Sequence, residues 1–364
     1  MKKRIAVIFG GKSAEHEISL MSAKNVVNAL DPNKYETVLI GIDPSGHWKY
    51  LEEAQTLLNS GKLTVFSENQ KNTKEISVVP GKEAGSLVTP DQKFQIDVVF
   101  PVLHGPFGED GTVQGMLKLL NIPYVGPDVL ASSVAMDKDV MKKLLRDSKI
   151  PVAKWVCFRP HEKSDYPYSK ISKELGGTVF IKPCNMGSSI GVHKVTNESE
   201  YKTAIEDAFQ YDNKVLVEEQ ITGREIECSV LGNEFPKASL PGEVIVTSKD
   251  GWYSYDAKYV DDKGAETKIP ADLSEEMIKR VQETAVKTFK ALGCEGMSRV
   301  DMFVCPDDSI YINEINTIPG FTNISMYPKM WEASGIKYSD LIDTLIDLAI
   351  QRFKRDQKLK ILKA

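Results

Sequence analysis

The first third of the chain alternates between long apolar runs and a segment of helical period. The runs RIAVIF (4–9), YETVLIGID (35–43) and IDVVFPVL (96–103) predict strands, and the first and last are apolar enough to be buried on both faces. Between the first two runs, SLMSAKNVVNAL (19–30) repeats its apolar residues with the period of a helix. This alternation predicts a small α/β domain that closes at Gly126-Pro127.

The middle of the chain predicts a strand that leads into a glycine-rich loop. A helical pattern over residues 132–150 precedes this strand. In TVFIKPCNMGSSIGVHKV (178–195), Lys182 follows directly on an apolar run, where a lysine has little reason to be buried without an anion. Gly187 and Gly191 allow the loop to fold its backbone amides over phosphate groups. The segment therefore predicts a flexible cover for phosphates.

The last third of the chain predicts a lid, two amphipathic helices and a hairpin. Residues 247–269 form a long irregular stretch rich in aromatic and charged residues, and loops of this length in compact enzymes are usually functional lids. The segments 274–293 and 339–353 each place their apolar residues on one helical face. Two apolar segments that flank Pro306-Asp307-Asp308 predict a β-hairpin over residues 299–316.

Both strands of the predicted hairpin contain charged side chains, which a buried hairpin would not be expected to carry. Side chains alternate along a strand, so Glu314 and Asn316 share one face, and Asp301 shares it if the turn holds an even number of residues. Two carboxylates and an amide oxygen form a ligand set suited to Mg²⁺ or Mn²⁺. Arg299 adds a cation on the same face. Taken alone, the hairpin fits a solvated polar face better than a metal site. Residues elsewhere in the chain are needed to distinguish these two alternatives.

Length, composition and net charge narrow the class of protein to which this chain can belong. The 364 residues suffice for two or three domains, and 41% hydrophobic and 27% charged residues are typical of a soluble globular protein. A net charge of −5 argues against a nucleic-acid partner. The five scattered cysteines, without CxxC spacing, indicate a reducing cytoplasm, and no apolar run approaches the roughly 20 residues of a membrane span. We therefore expect a cytoplasmic protein without a membrane partner.

The turn after the first strand offers a ligand site at a helix N-terminus. The sequence GGKSAEHE (10–17) places free N–H groups there. A P-loop is excluded, because that motif needs a glycine five residues before Gly11, where Ala6 stands. Glu15 in this turn could hold a substrate ammonium group. The alternative is a first-turn glutamate that only complements the helix dipole, and from the residues alone this alternative is favoured.

Several separated motifs together resemble the D-alanine–D-alanine ligase family of the ATP-grasp superfamily. In chain order they are GGKSAEHEIS, LHGPFGEDGTVQG, MDK, FIKPCNMGSSIGV, YDAKY, RVDMFV, INEINTIPGFT and SMYP. Each motif alone is weak, but their order and number are specific, and they cover essentially the whole chain. The resemblance implies a three-domain α/β (α+β) ATP-grasp ligase. It would have a Rossmann-like N-terminal substrate-binding domain (1–128), a central ATP-grasp subdomain (129–221) and a C-terminal domain with the metal and catalytic site (222–364).

The resemblance implies that ATP is grasped between the last two domains. Lys138 and Lys182 would contact its phosphates, the segment from Glu218 to Ile221 would line the adenine, and Glu225 would hold the ribose. Glu219 stands where many relatives carry lysine, and backbone groups can make the adenine contacts there. Two Mg²⁺ or Mn²⁺ ions would be bound by three residues, with the second of them bridging: Asp301, Glu314 and Asn316.

The resemblance also implies sites for two D-alanine molecules. Glu15, oriented by Ser188 and Tyr259, would bind the ammonium group of the first, while Arg299 and the N–H of Gly320 would stabilise the oxyanion. The remaining implied contacts are to the two substrate carboxylates. His104 would lie near the first, and the second would be received by Lys258, Ser325 and the N–H of Met326. In relatives that join D-alanine to D-lactate, position 259 tends to be phenylalanine, so Tyr259 implies an amino acceptor.

The implied activity is the ATP-dependent joining of two D-alanine molecules through an acylphosphate, with release of ADP and phosphate, for peptidoglycan precursors. The family further implies a cytoplasmic homodimer.

Two alternative functions remain. A different ATP-grasp carboxylate–amine ligase would lack Glu15, Lys258-Tyr259 and Ser325, and all of them are present. A non-catalytic nucleotide-binding protein would tolerate loss of Arg299 or the metal ligands, and none is lost.

Overall fold

The computed structural model describes residues 2–51, 73–79, 86–247 and 264–360. Its N-terminal part contains β1 (Lys3–Gly10), α1 (His16–Ala29), β2 (Tyr35–Ile42), β3 (Trp48–Leu51), β4 (Thr73–Glu75), β5 (Ser77–Val79), β6 (Ser86–Val88), β7 (Lys93–Gln95), β8 (Val98–Val102) and α2 (Thr112–Leu119). The main sheet has the order β4-β3-β2-β1-β8, with β1 parallel to both β2 and β8, and β5, β6 and β7 form a separate small sheet. The three predicted strands are thereby confirmed, as β1, β2 and β8.

The central position of β1 explains its apolar run. Its odd residues Ile5, Val7 and Phe9 pack in one core with α1, and its even residues Ala6 and Ile8 pack in another on the opposite face. Because β1 and β8 are parallel neighbours, their carboxyl ends meet at one edge of the sheet. The turn after β1 and the loop after β8 therefore lie side by side, where ligands bind in open α/β sheets.

The central part of the chain forms a four-stranded antiparallel sheet of order β11-β10-β12-β9. Its elements are β9 (Trp155–Phe158), a 3₁₀ turn (Pro160–Asp165), α5 (Tyr168–Leu175), β10 (Val179–Pro183), β11 (His193–Val195), α6 (Glu198–Tyr211) and β12 (Val215–Glu219), and they are preceded by α3 (Val129–Met136) and α4 (Lys138–Asp147). Along β10, Val179 and Ile181 enter the core beneath α5 and α6, whereas Phe180 and Lys182 point to the other face. That alternation directs Lys182 into a cavity.

The C-terminal part forms an antiparallel sheet of order β16-β15-β13-β17-β18, with β14 paired to β13. Its elements are β13 (Arg224–Gly232), β14 (Lys237–Ala238), β15 (Gly242–Val246), β16 (Ala265–Lys268), α7 (Glu275–Ala291), β17 (Gly296–Val304), β18 (Ile310–Asn316), α8 (Met326–Ala333) and α9 (Tyr338–Asp356). Both predicted amphipathic helices and the predicted hairpin are present. Within the described ranges, no helix is long and apolar enough to cross a membrane.

Two cores connect the parts of the chain. Helix α4 packs on the C-terminal sheet, since Met141 and Leu145 share a core with Val300. Helix α1 packs with α9, since Val26 and Leu345 belong to a second core. The division of the chain at residues 128 and 221 stays a prediction.

The hairpin brings its charged residues together by a route that the sequence did not predict. Asp301 lies opposite Glu314, and Arg299 opposite Asn316, as the metal hypothesis requires. The predicted condition of an even turn is wrong, because five residues (305–309) separate the paired ends of β17 and β18. The register shifts between Asp301 and Met302, where β18 carries the additional residue Asn313. This β-bulge corrects the odd turn and places Glu314 opposite Asp301.

Candidate active site

A cavity of about 250 Å³ lies between the central and the C-terminal sheets. Nine of the predicted site residues line it: Lys138, Lys182, Glu218, Glu219, Ile221, Glu225, Arg299, Asp301 and Glu314. They come from α4, β10, the end of β12 with the turn after it, β13 and the hairpin. Segments far apart in sequence thus converge on one space, and the predicted nucleotide residues surround it together with two of the three predicted metal ligands, Asp301 and Glu314.

Two lysines mark one end of this cavity. Asp137 caps α4 by accepting hydrogen bonds from the backbone N–H groups of Asp139 and Val140, which fixes Lys138 at the helix start. The Lys138 ammonium donates a hydrogen bond of 2.6 Å to the Met186 carbonyl and lies 3.7 Å from Glu314 Oε2. It therefore stands between the glycine-rich loop and the hairpin, and its contact with a phosphate group stays a prediction.

The second lysine, Lys182, is held by a buried carboxylate. Its Nζ lies 2.5 Å from Glu218 Oε1 and donates a hydrogen bond of 3.3 Å to Asn313 Oδ1 in the bulge. Burial alone would raise the pKa of Glu218, but Lys142 and Lys182 outweigh it and lower that pKa to about 2. Glu218 is therefore ionised at neutral pH. Neither Lys142 nor Asn313 was among the predicted site residues.

The glycine-rich loop connects this cavity to the N-terminal sheet. Ser188 Oγ donates a hydrogen bond to Glu15 Oε1, so two residues predicted to act on the first substrate are in contact. Ser188 and Ser189 both have positive φ, at 52° and 59°. Non-glycine residues rarely adopt this conformation, and it is frequent at ligand-binding loops.

The hairpin provides an oxygen-rich ligand set. Asn316 Nδ2 donates a hydrogen bond of 3.0 Å to Asp301 Oδ2, and Glu314 lies directly opposite Asp301. In the part of the chain that the structure describes, no three histidine, cysteine, aspartate or glutamate side chains form a metal-type group, and the predicted set includes the Asn316 amide as its third member. Carboxylate and amide oxygens fit Mg²⁺ and Mn²⁺, so the residues present suit the predicted ions.

Arg299 lies at the centre of this charged face. Its Nε and one of its terminal nitrogens each lie 2.7 Å from an oxygen of Asp301, and its Nε lies 3.0 Å from Glu227 Oε2. Burial lowers the pKa of Arg299, but Asp301 and Glu227 outweigh it and raise that pKa above its usual value. The guanidinium is thus a fixed charge. Glu227 was missed, although it lies two residues after Glu225 on the same strand face.

The residues predicted to contact the adenine and the ribose lie on one wall of the cavity. Glu219 Oε1 accepts a hydrogen bond of 2.7 Å from the Lys154 N–H, so this side chain is turned to the backbone of the neighbouring segment. Ile221 and Glu225 lie farther along the same wall of the cavity. This placement is compatible with adenine contacts through backbone groups, and the individual roles stay predictions.

The loop after β8 and the segment before α8 form a second group. His104 is buried, and its Nδ1 lies 2.9 Å from the Ile318 carbonyl. A Cβ at Gly320 would lie 2.7 Å from Ser325 Oγ, so a side chain there would displace Ser325. Met326 is the first residue of α8, where a backbone N–H lacks an intrahelical partner. The structure therefore brings Gly320, Ser325 and Met326 together, and their individual roles stay predictions.

Glu109 is a further, partly buried acid in this region. Its carboxylate accepts a hydrogen bond of 2.9 Å from the Gly105 N–H. Burial and the charge of Glu15 raise the pKa of Glu109 to about 8, and burial lowers the pKa of His104. At neutral pH the imidazole is neutral.

The raised pKa of Glu109 predicts a pH-dependent stability. The folded chain binds a proton more tightly here than the unfolded chain, so this contribution is present at low pH and is lost as the pH rises through about 8. In Glu109→Gln, the thermal midpoint should fall less between about pH 5 and pH 8 than in the wild type. The exposed Glu283→Gln serves as the control. Equal pH dependence in Glu109→Gln and the wild type would contradict the assignment.

Lys258 and Tyr259 lie outside the described residues, as does most of the lid predicted over residues 247–269. Their roles stay predictions.

Two family models match the chain. The model described as D-ala D-ala ligase N-terminus matches residues 4–127, and the one described as D-ala D-ala ligase C-terminus matches residues 144–347. The chain belongs to the D-alanine–D-alanine ligase family. The predicted resemblance and the predicted ATP-grasp fold are thereby confirmed, and the family uses ATP and Mg²⁺.

Individual relatives match this family member over nearly its whole length. It is 52% identical over 363 residues to the D-alanine–D-alanine ligase of Oceanobacillus iheyensis, which covers 99% of this chain and 98% of the relative. The solved D-alanine–D-alanine ligase of Coxiella burnetii has a TM-score of 0.86 and 42% identity, with 98% of each chain covered. The solved VanG D-Ala:D-Ser ligase of Enterococcus faecalis has a TM-score of 0.87 and 40% identity, covering 96% of this chain and 100% of VanG.

Proposed function

We propose that this chain joins two D-alanine molecules to D-alanyl-D-alanine for peptidoglycan precursors, with cleavage of ATP to ADP and phosphate. One observation carries the proposal: a single cavity gathers Lys138, Lys182, Arg299 and the Asp301–Glu314 pair. These are the cations and oxygen ligands that phosphoryl transfer from ATP requires. The match to D-alanine–D-alanine ligases along the whole chain supports D-alanine as the substrate.

The first step activates a carboxylate. A carboxylate is a poor electrophile, so an oxygen of the first D-alanine attacks the γ-phosphorus of ATP, the bond to ADP breaks, and an acylphosphate forms. Lys138 and Lys182 face the cavity and would contact the phosphate oxygens. Mg²⁺ bound by Asp301, Glu314 and Asn316 would neutralise charge on the transferred group. Glu15, in contact with Ser188, would hold the ammonium group of the same D-alanine.

The second step forms the peptide bond. The amine of the second D-alanine attacks the acyl carbon, loses a proton, and phosphate leaves with the electron pair of its bond to carbon. Negative charge develops on the carbonyl oxygen, where Arg299 and the N–H of Gly320 would stabilise it. Ser325, Met326 and Lys258 would receive the carboxylate of this second D-alanine.

Water has to be kept from the acylphosphate, because hydrolysis would waste it. The aromatic segment predicted as a lid would serve this purpose, with Tyr259 near the first D-alanine. We also propose a cytoplasmic homodimer without a nucleic-acid or membrane partner, which rests on the family resemblance and on the net charge of −5.

Product analysis tests the proposed function. The full-length chain is incubated with ATP, Mg²⁺ and D-alanine, and the products are followed by mass spectrometry and by ADP release. We expect D-alanyl-D-alanine and ADP in equal amounts, with L-alanine as an inactive control. An equimolar mixture of D-alanine and D-serine tests the acceptor, because VanG is a D-Ala:D-Ser ligase. ATP cleavage without a dipeptide, or mainly D-alanyl-D-serine, would contradict the proposal.

A further inference from the structure

Lys142 is a buried lysine that the proposed reaction does not use. It lies one helical turn after Lys138 on α4 and is only 1% exposed. Its Nζ lies 2.8 Å from Glu218 Oε2, and its other hydrogen bond, to the Ala153 carbonyl, is long at 3.4 Å. Lys142 does not line the cavity itself. Its strong partner is therefore Glu218.

The neighbouring Lys143 shows what an ordinary lysine does on the same helix. Its side chain is 56% exposed, and its Nζ pairs with Asp139 at 2.9 Å. Burying an ammonium group, as α4 does with Lys142, is costly even when the group is paired, and an apolar residue would often be more stable. Stabilisation of the fold alone therefore does not explain why a lysine stands at position 142.

Glu218 is shared between two lysines. Oε2 faces Lys142 at 2.8 Å, and Oε1 faces Lys182 at 2.5 Å. Lys142 and Glu218 are buried and Lys182 is partly buried, and together the three side chains carry two positive charges and one negative charge. Lys182 lines the cavity, and under the proposed function it contacts the ATP phosphates. To do so fully, its ammonium group has to loosen its contact with Glu218.

Lys142 determines the free-energy cost of releasing Lys182 from Glu218. With Lys142 present, Glu218 keeps a buried counterion when Lys182 turns to a phosphate. With an apolar residue at 142, the same movement would leave a buried carboxylate without a cation, which is strongly unfavourable. Glu218 would then retain Lys182, and the phosphates would lose a ligand.

We propose that Lys142 is a positioning residue that acts as the permanent counterion of Glu218 and thereby frees Lys182 to bind the phosphates of a nucleoside triphosphate. This inference rests on the proposed function for the role of Lys182. It assigns Lys142 no contact with the substrate. Its specific consequence is that Lys142 affects binding of the phosphates and leaves binding of the nucleoside unaffected.

Calorimetric titration of the full chain with ATP plus Mg²⁺ and with adenosine, in the absence of D-alanine, tests this consequence. In Lys142→Met, affinity for ATP should fall on the order of 10- to 100-fold, while affinity for adenosine stays within about twofold. Lys143→Met, on the same helix, should leave both affinities unchanged. Equal loss for ATP and adenosine, or no loss for ATP, would overturn the proposal.

A double variant separates counterion loss from general damage and remains informative if Lys142→Met does not fold. In Glu218→Gln no carboxylate retains Lys182, so adding Lys142→Met should leave the ratio of ATP to adenosine affinity unchanged within about twofold. A further fall of that ratio in the double variant would show that Lys142 acts on phosphates without Glu218 and would overturn the proposal.

The two proposals fail in different ways. Tight ATP binding by a wild type that makes no dipeptide would reject the proposed function and leave the role of Lys142 intact. Dipeptide synthesis by the wild type, together with an unchanged affinity ratio in Lys142→Met, would reject the role of Lys142 alone.

Discussion

Glu314→Gln should abolish dipeptide synthesis while the chain stays folded. Glu314 lies directly opposite Asp301 on the hairpin and 3.7 Å from the Lys138 ammonium. Glutamine keeps the shape of the side chain but removes the negative charge that a divalent cation needs. We expect kcat to fall by about 1,000-fold or more, because several kcal/mol of charge stabilisation in the transition state are lost.

The measurement is the rate of ADP release as Mg²⁺ is titrated, together with the thermal midpoint. Asp307→Asn is the matched control, because Asp307 is an exposed carboxylate in the turn of the same hairpin. Asp301→Asn should lose activity as well, but it also weakens the ion pair of the partly buried Arg299 and should lower the thermal midpoint. Turnover of Glu314→Gln at the wild-type rate and the same Mg²⁺ dependence would refute the metal assignment.

Arg299→Lys should slow the chemical step far more than it weakens ATP binding. Lysine keeps a positive charge but cannot reproduce the planar, two-pronged contact with Asp301. An oxyanion-stabilising donor acts mainly in the transition state, so we expect kcat to fall by about 100- to 1,000-fold. The dissociation constant for ATP should change by only a few-fold.

Arg224→Lys is the control for this substitution. Arg224 lies on the neighbouring strand β13 and makes a similar two-pronged contact with Glu243, at 2.7 and 2.6 Å, without lining the cavity. Its kcat should stay within about twofold of the wild type. A parallel loss of kcat and ATP affinity in Arg299→Lys would argue for a role in binding ATP and against an oxyanion role.

The hairpin shows what could be predicted from the sequence and what could not. Alternation along a strand correctly placed Glu314 and Asn316 on one face, whereas Asp301 was expected there only with an even turn. The predicted even turn was wrong. Asp301 reaches the same face only through a bulge, and a bulge depends on local backbone geometry that no residue pattern specifies here. The bulge also brings Asn313 into the cavity, beside Glu314. Strand alternation alone would have placed these two neighbours on opposite faces.

Burial of charged residues was the harder part to predict. Lys182 could be expected in a buried position because it follows an apolar run. Lys142 lies next to the exposed Lys143 in α4, and its burial depends on Glu218, which is distant in sequence and reached only through tertiary packing. Glu227 could have been found, because strand alternation places it on the same face as Glu225.

Oxygen transfer from D-alanine to phosphate tests the central claim most directly. The full-length chain is supplied with ATP, Mg²⁺ and D-alanine labelled with ¹⁸O in both carboxylate oxygens, and the released phosphate is analysed by mass spectrometry. An acylphosphate intermediate predicts one ¹⁸O atom in each phosphate and one in the peptide carbonyl of D-alanyl-D-alanine. Phosphate without the label, formed at the same rate as the dipeptide, would contradict the account.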